Sequence, residues 1–257
     1  MDFAGKTALV TGAAGAIGKA IAAGFIVGGA RVFITDLKQD GVDAAVAEIG
    51  GACQGLAADV TKEEQVKAAV GAAAAAFDGR IDILVNVAGI VGQGKVEDLS
   101  EAEWDAVYAV NCKGTFFFTK YVVPVMKAKK FGRIINFSSK SGKTGSALLS
   151  HYSAAKAAII GFTQALAYEL ADFGINVNCL CPGITENTGV WSTVSAGYVK
   201  ELNLPREEIV KKFTAKVPLK RLAKVEDIVA VTLFLASPGG DYMTGQAINV
   251  TGGREMH

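Results

Sequence analysis

Short apolar runs rich in β-branched residues recur at Thr7 to Val10, Arg31 to Thr35, Ile81 to Val85, Arg133 to Phe137, Ile175 to Leu180 and Ala247 to Val250, with a weaker one at Cys53 to Ala57. Between them lie Ala-rich stretches whose apolar residues return at helical spacing: Ile17 to Gly29, Gly41 to Ile49, Lys62 to Phe77, Glu103 to Lys127, Ser153 to Phe173 and Val225 to Ala236. Few folds accommodate this alternation. A strand followed by a helix and another strand returns the chain to the same edge, so the strands run parallel and helices cover both faces. The pattern therefore predicts a doubly wound α/β domain of the Rossmann type, with a mostly parallel seven-stranded sheet.

No Pro- or Gly-rich linker divides the chain, so residues 1–257 are expected to form one domain. The rhythm breaks only between Gly183 and Val217, which is polar at first and then carries a short helical piece around Arg206 to Lys212 before Pro218. A long excursion after a strand is where such a fold places a substrate lid. The run Ala72 to Ala76 lies at helical spacing, and helix propensity explains it.

Apolar residues make up 51% of the chain, too many for a disordered protein. With 26 Lys and Arg against 25 Asp and Glu, the bases scattered among acids, there is no field to draw in a nucleic acid. No stretch reaches the roughly 18 uncharged apolar residues of a spanning helix, and no apolar leader precedes the first strand. A soluble cytoplasmic protein is expected, without nucleic-acid or membrane partners. The four cysteines, Cys53, Cys112, Cys179 and Cys181, and the two histidines, His151 and His257, lack the spacing of a metal site. They read as free thiols in a reducing compartment, with no metal bound.

After the first strand the chain reads Thr11-Gly12-Ala13-Ala14-Gly15-Ala16-Ile17-Gly18 and opens into a helix. Glycines at such a turn let backbone N–H groups and the helix N-terminus approach a pyrophosphate, although a plain tight turn would also use them. Asp36 ends the second strand 18 residues beyond Gly18, as a dinucleotide site requires. A carboxylate there accepts both ribose hydroxyls of NAD and repels the 2′-phosphate of NADP. Lys38 is the one nearby base that would weaken that preference.

Tyr152 and Lys156 stand four apart at the start of a helical stretch and so share one face. Ser138-Ser139 closes the preceding strand at the carboxyl edge, where ligands bind in this fold. Asn111 is the one mid-segment amide of an otherwise apolar helix, so it either caps or kinks the helix or serves function. His151 is expected to face away from Tyr152, since helix neighbours point about 100° apart.

On these residues the chain resembles the short-chain dehydrogenase/reductase family over essentially its full length. The shared motifs are Thr11 to Gly18, Asp59-Val60, Asn86-Val87-Ala88-Gly89, Asn111, Ser139, Tyr152 to Lys156 and Pro182-Gly183, in order and spacing. The resemblance implies Tyr152 as acid/base, Lys156 lowering its pKa and binding the nicotinamide ribose, Ser139 holding the substrate oxygen and Asn111 carrying a water-linked proton relay. It implies that Gly12, Gly15, Ala16, Ile17, Gly18, Asp36, Asp59, Val60, Asn86, Ala88 and Gly89 hold the cofactor, with Pro182, Gly183 and Ile184 on the nicotinamide side. Ala16 stands where the family usually has its middle glycine, and Val87 where a second Asn is common. A homotetramer built through Glu103 to Lys127 and Ser153 to Phe173 is also implied.

Three further stretches resemble the sugar-alcohol branch, closest to sorbitol-6-phosphate 2-dehydrogenases: Ser139 to Ser146, Lys216 to Arg221 and Thr244 to Gly253. Lys140 and Lys143 then become candidates to meet a polyol or its phosphate, against a reading as solvated loop lysines. Ser139, Ser141, Tyr152, Asn187 and Trp191 complete the candidate substrate set, with Glu186, Thr188 and Ser192 as further polar groups of the lid. Pro182-Gly183-Ile184 with Trp191, and Asp241 to Gln246, also resemble acetoin and butanediol dehydrogenases, so a small diketone remains the alternative. A non-catalytic NAD-binding scaffold is the remote third reading, set back by the joint presence of Ser139, Tyr152 and Lys156.

Overall fold

The computed structural model describes residues 1–257. Seven strands, β1 (Thr7–Thr11), β2 (Arg31–Thr35), β3 (Cys53–Gly55), β4 (Ile83–Asn86), β5 (Gly132–Phe137), β6 (Ile175–Pro182) and β7 (Ala247–Val250), form one sheet in the order β3-β2-β1-β4-β5-β6-β7. Every pairing is parallel. The apolar runs are continuous because the sheet is covered on both faces, and their residues divide between two cores with a period of two. Ala8 and Val10, Val32 and Ile34, and Ile83 and Val85 enter one core. Leu9, Phe33 and Leu84, the residues between them, enter the other.

Helices α1 (Ala16–Val27), α2 (Gln39–Ile49) and α10 (Val225–Ala236) cover the first face, through residues such as Ile21, Phe25, Val42 and Ile228. The second face carries α3 (Glu63–Ala76), α5 (Gly114–Lys129) and α7 (Ser150–Leu170), through Val66, Phe118, Met126 and Leu170. Each fully buried aromatic or branched side chain contributes roughly 1.5–3 kcal/mol. No helix is long and apolar enough to cross a membrane. All four cysteines are unpaired, and no group of three or more His, Cys, Asp or Glu is placed to hold a metal ion.

Two elements depart from the spacing-based expectation. The helix expected over Glu103 to Lys127 stays helical throughout but is not uniformly α: α4 (Glu101–Tyr108) widens into a π turn over Ala109–Lys113 before α5 begins. Asn111 lies in that turn, its amide donating to the carbonyls of Val107, four residues back, and Ile90, both at 2.9 Å. A side chain bonded into the helix ladder is a regular cause of such a bulge. In the segment 183–217, α8 (Gly189–Leu202) precedes α9 (Arg206–Ala215). Gly189, Gly197 and several β-branched residues hide α8 from a propensity reading. It forms because Thr188 Oγ1 caps it at Trp191 N, 3.2 Å, and because Trp191 and Val194 are buried against Ile209 and Leu222.

Strand order reverses between β1 and β4, where the connections from β1 and β4 diverge to opposite faces of the sheet. A crevice opens there at the carboxyl ends of the strands.

Candidate active site

Two adjoining cavities lie along this edge and share Ile17, Val87, Gly89, Thr188 and Val190 in their walls. The larger, of about 430 Å³, sits over the turn between β1 and α1 and brings together Gly12, Gly15, Ala16, Ile17, Gly18, Asp36, Asp59, Val60, Ala88 and Gly89. Gly12 has φ +66°, and a Cβ there would lie 2.8 Å from the Ala88 backbone; a Cβ on Gly18 would collide with the Gly12 carbonyl oxygen. Only glycine permits this close passage of three backbone segments, and α1 starts beside it with no side chain capping its N-terminus, as an anion site at a helix start requires.

Asp36 follows β2 directly. Its Oδ2 accepts from Ala14 N–H at 2.9 Å and its Oδ1 from Leu37 N–H at 2.7 Å, which fixes the carboxylate against the glycine turn. Asp59 is fixed likewise, Oδ1 accepting from Thr61 N–H at 2.9 Å and Thr61 Oγ1 at 2.7 Å. These are the only charged residues in the crevice wall, and Lys38 does not reach it. The glycine cradle, the two carboxylates and the adjoining hydroxyl-lined cavity fit a dinucleotide.

The smaller cavity, of about 140 Å³, brings together Asn111, Ser139, Lys140, Ser141, Tyr152, Lys156, Pro182, Gly183, Ile184 and Trp191. β5 delivers Ser138 and Ser139 to this edge. Ser139 then caps the short helix α6 (Lys140–Thr144), its Oγ accepting from Ser141 N–H at 3.1 Å. The first turn of α7 presents Tyr152 and, one turn on, Lys156, whose Nζ lies 5.7 Å from the Tyr152 ring centroid and donates to Phe137 O at 2.8 Å. Asn111 Oδ1 is buried and unpartnered; a Cβ on Gly89 would lie 2.6 Å from it. A buried orphan acceptor beside Lys156 marks a place where a donor belongs.

Burial governs the ionisation of the pair. It pushes the Tyr152 phenol up to about 12, the nearby Ser139 hydroxyl pulling the other way, and pushes the Lys156 ammonium down to about 8. The Lys156 ammonium is directed at the Phe137 carbonyl. The Lys156 shift has a testable consequence. The folded state gives up this proton near pH 8 and the unfolded chain only near about pH 10.4, so over that window the unfolded state binds more protons and stability rises with pH. The stability advantage of Lys156→Met over the wild type, measured by urea midpoint, is expected to shrink from pH 8 upward. Parallel pH profiles would contradict the buried-ammonium account.

Not every sequence candidate reaches the cavities. Asn86 is buried beneath them, its Nδ2 donating to Asn136 Oδ1 at 2.9 Å, while Asn136 Nδ2 donates to Thr163 Oγ1 at 3.0 Å. This network ties β4 and β5 to α7 under Tyr152 and Lys156. Lys143 points away, its Nζ donating to Ala247 O of β7 at 2.7 Å. Asn187 is exposed at φ +57° and lines neither cavity. Lys140 lines the smaller cavity, but its Nζ is 3.4 Å from Gly145 O and 3.7 Å from the Glu255 carboxylate. His151, expected to face away, is fully buried beside Gly92 and outside both cavities. Leu149, Tyr198 and Phe213 line the smaller cavity and carried no motif; Phe213 stacks edge-on to Trp191 at 6.0 Å, which a sequence pattern does not reveal.

Fold and site together define a doubly wound α/β oxidoreductase. A family model described as enoyl-(acyl carrier protein) reductase matches residues 12–255. The chain is 39% identical to a sorbitol dehydrogenase of Cereibacter sphaeroides, over 100% of both chains. Among solved structures it resembles sorbitol-6-phosphate 2-dehydrogenase from Erwinia amylovora, at TM-score 0.93 and 34% identity over 97% of this chain and 100% of that one. It also resembles a 3-ketoacyl-(acyl-carrier-protein) reductase from Brucella melitensis complexed with NADH, at TM-score 0.88 and 35% identity over 98% and 99%. The chain belongs to the short-chain dehydrogenase/reductase family.

Proposed function

We propose that the protein is an NAD-dependent dehydrogenase that interconverts a secondary alcohol and a ketone on an unphosphorylated polyol. The observation that carries the cofactor choice is the crevice wall, which holds Asp36 and Asp59 and no Lys or Arg. A 2′-phosphate would meet like charge there, whereas ribose hydroxyls find a fixed acceptor. The polyol reading is supported by the hydroxyls of Ser139, Ser141, Ser146, Thr185 and Thr188 around the smaller cavity, and by the sorbitol dehydrogenase among its relatives. A diketone needs few such groups.

When bound, the dinucleotide supplies the hydride acceptor. Tyr152 takes the hydroxyl proton of the alcohol, or returns it to the carbonyl oxygen in reverse. Ser139 positions that oxygen, and Lys156 holds the ribose and stabilises the phenolate. Asn111, its Oδ1 free, carries a water linked to Lys156. The segment 183–217 closes over the substrate through Trp191 and Phe213. A cytoplasmic homotetramer belongs to the same reading, supported by the free thiols and by the exposed Trp104, Phe116 and Tyr168 on α4, α5 and α7.

The absence of a phosphate requirement follows from the lysines: Lys143 is spent on Ala247, and Lys140 is compensated by Glu255. NADH formation is therefore expected with sorbitol or galactitol at rates not exceeded by sorbitol 6-phosphate. Turnover of the ester alone, or of 2,3-butanediol alone, would overturn the substrate reading.

A further inference from the structure

Three segments far apart in sequence meet beside the Tyr152 cavity: residues 93–95 after β4, the turn 145–149 before α7, and the face of α8 that carries Tyr198 and Glu201. Each is tied to the other two. Tyr198 Oη donates to Ala147 O at 3.0 Å, which joins α8 to the turn. Gly94 N–H donates to Leu148 O at 2.9 Å, which joins the turn to the segment after β4. That segment reaches α8 in its turn: Lys95 Nζ lies 3.6 Å from the Glu201 carboxylate, and a Cβ on Gly197 would collide with the Gln93 amide. Leu148 has φ +66°, a left-handed conformation that a bulky residue holds only when its surroundings impose it.

Ser146 and Leu149, on either side of this strained turn, stand in the cavity wall, and so does Tyr198. Tyr198 is only half-buried. Its ring packs against Phe213, with centroids 5.2 Å apart, while its bond to Ala147 O is exposed to solvent. The ring therefore stands between the cavity and solvent. Burial pushes the phenol up, so it remains a donor at neutral pH. A cavity of about 140 Å³ has little room to spare, and the side chain that closes one side of it decides how far a substrate can extend. We propose that Tyr198 is a specificity-determining residue: its ring blocks one side of the catalytic cavity, and its bond to Ala147 O holds α8 down on the turn. Slim, unbranched polyols are admitted, and chains that must protrude past α8 are excluded. The proposal rests on the polyol reading and adds a size limit to it.

Tyr198→Phe removes the hydroxyl and keeps the ring; Tyr198→Ala removes both, at a half-exposed helix position where alanine is the strongest helix former. With NAD, kcat and KM are measured for a free hexitol and for a hexitol carrying a glycosyl group at its far end, alongside thermal melting. The wild type is expected to turn over the free hexitol and discriminate against the glycosylated one. Tyr198→Ala is expected to raise the ratio of kcat/KM for the glycosylated over the free hexitol by about tenfold or more. Tyr198→Phe should leave that ratio unchanged and raise KM for the free hexitol by about two- to tenfold, the worth of one neutral hydrogen bond, with kcat retained. Equal use of both alcohols by the wild type, or a ratio unmoved by Tyr198→Ala whatever its melting temperature, would overturn the size limit. An unchanged KM in Tyr198→Phe would overturn the role of the bond to Ala147. A wild type that oxidises neither alcohol would instead overturn the polyol reading itself, and the size limit with it.

Discussion

Tyr152→Phe is expected to lower kcat by about 10²–10⁴-fold, the usual contribution of a positioned acid/base, while NAD still binds. The hydroxyl is the only atom removed, and the ring remains in a packed environment beside Ala155 and Trp191. Because burial holds the phenol up at about 12, the base form grows with pH, and alcohol oxidation by the wild type is expected to rise as pH rises. The variant should lose that rise together with its rate. Stopped-flow or steady-state turnover, paired with a cofactor-binding titration, checks both halves. Wild-type turnover in the variant would remove Tyr152 from the chemistry, and loss of NAD binding would assign it a structural role.

Asp36→Asn is expected to raise KM for NAD by about 10–100-fold, as the loss of hydrogen bonds to a charged acceptor predicts. The preference for NAD over NADP should narrow at the same time. The carboxylate accepts from Ala14 and Leu37 N–H in the protein itself, so the amide also puts a donor against one of these donors. Part of the loss will therefore come from loosening of the glycine turn, which a lower melting temperature would reveal. An unchanged KM ratio for the two cofactors would show that Asp36 does not read the ribose.

The sheet was readable because its strands are buried on both faces, so each appears as an uninterrupted apolar run. Val32, Phe33 and Ile34 illustrate this: all three are buried, and they alternate between two cores. The Tyr152, Lys156 and glycine-turn motifs were legible because their chemistry depends on local spacing along one turn or one helix face. What escaped depends on contacts between distant segments. The π turn at Asn111 carries a side-chain bond to Ile90, 21 residues away, and α8 is held in part by Trp191 packing on the α9 side chains. Lys143 and Lys140 are equivalent in sequence, yet one is captured by β7 and the other by the C-terminal Glu255. No local pattern distinguishes them, because their partners lie more than 100 residues further along the chain. Asn86 likewise carries a family motif while its amide serves the β4–β5 junction.

On the proposed reading, the acidic crevice and the hydroxyl-lined cavity suit an NAD-dependent polyol dehydrogenase rather than a ketoacyl thioester reductase. Initial rates with purified protein compare hexitol oxidation with NAD against reduction of a 3-ketoacyl thioester with NADPH, at matched enzyme concentration. The account predicts a kcat/KM for the hexitol and NAD well above that for the thioester and NADPH, with NADP failing to replace NAD. Rapid thioester reduction by NADPH with no hexitol oxidation would contradict it.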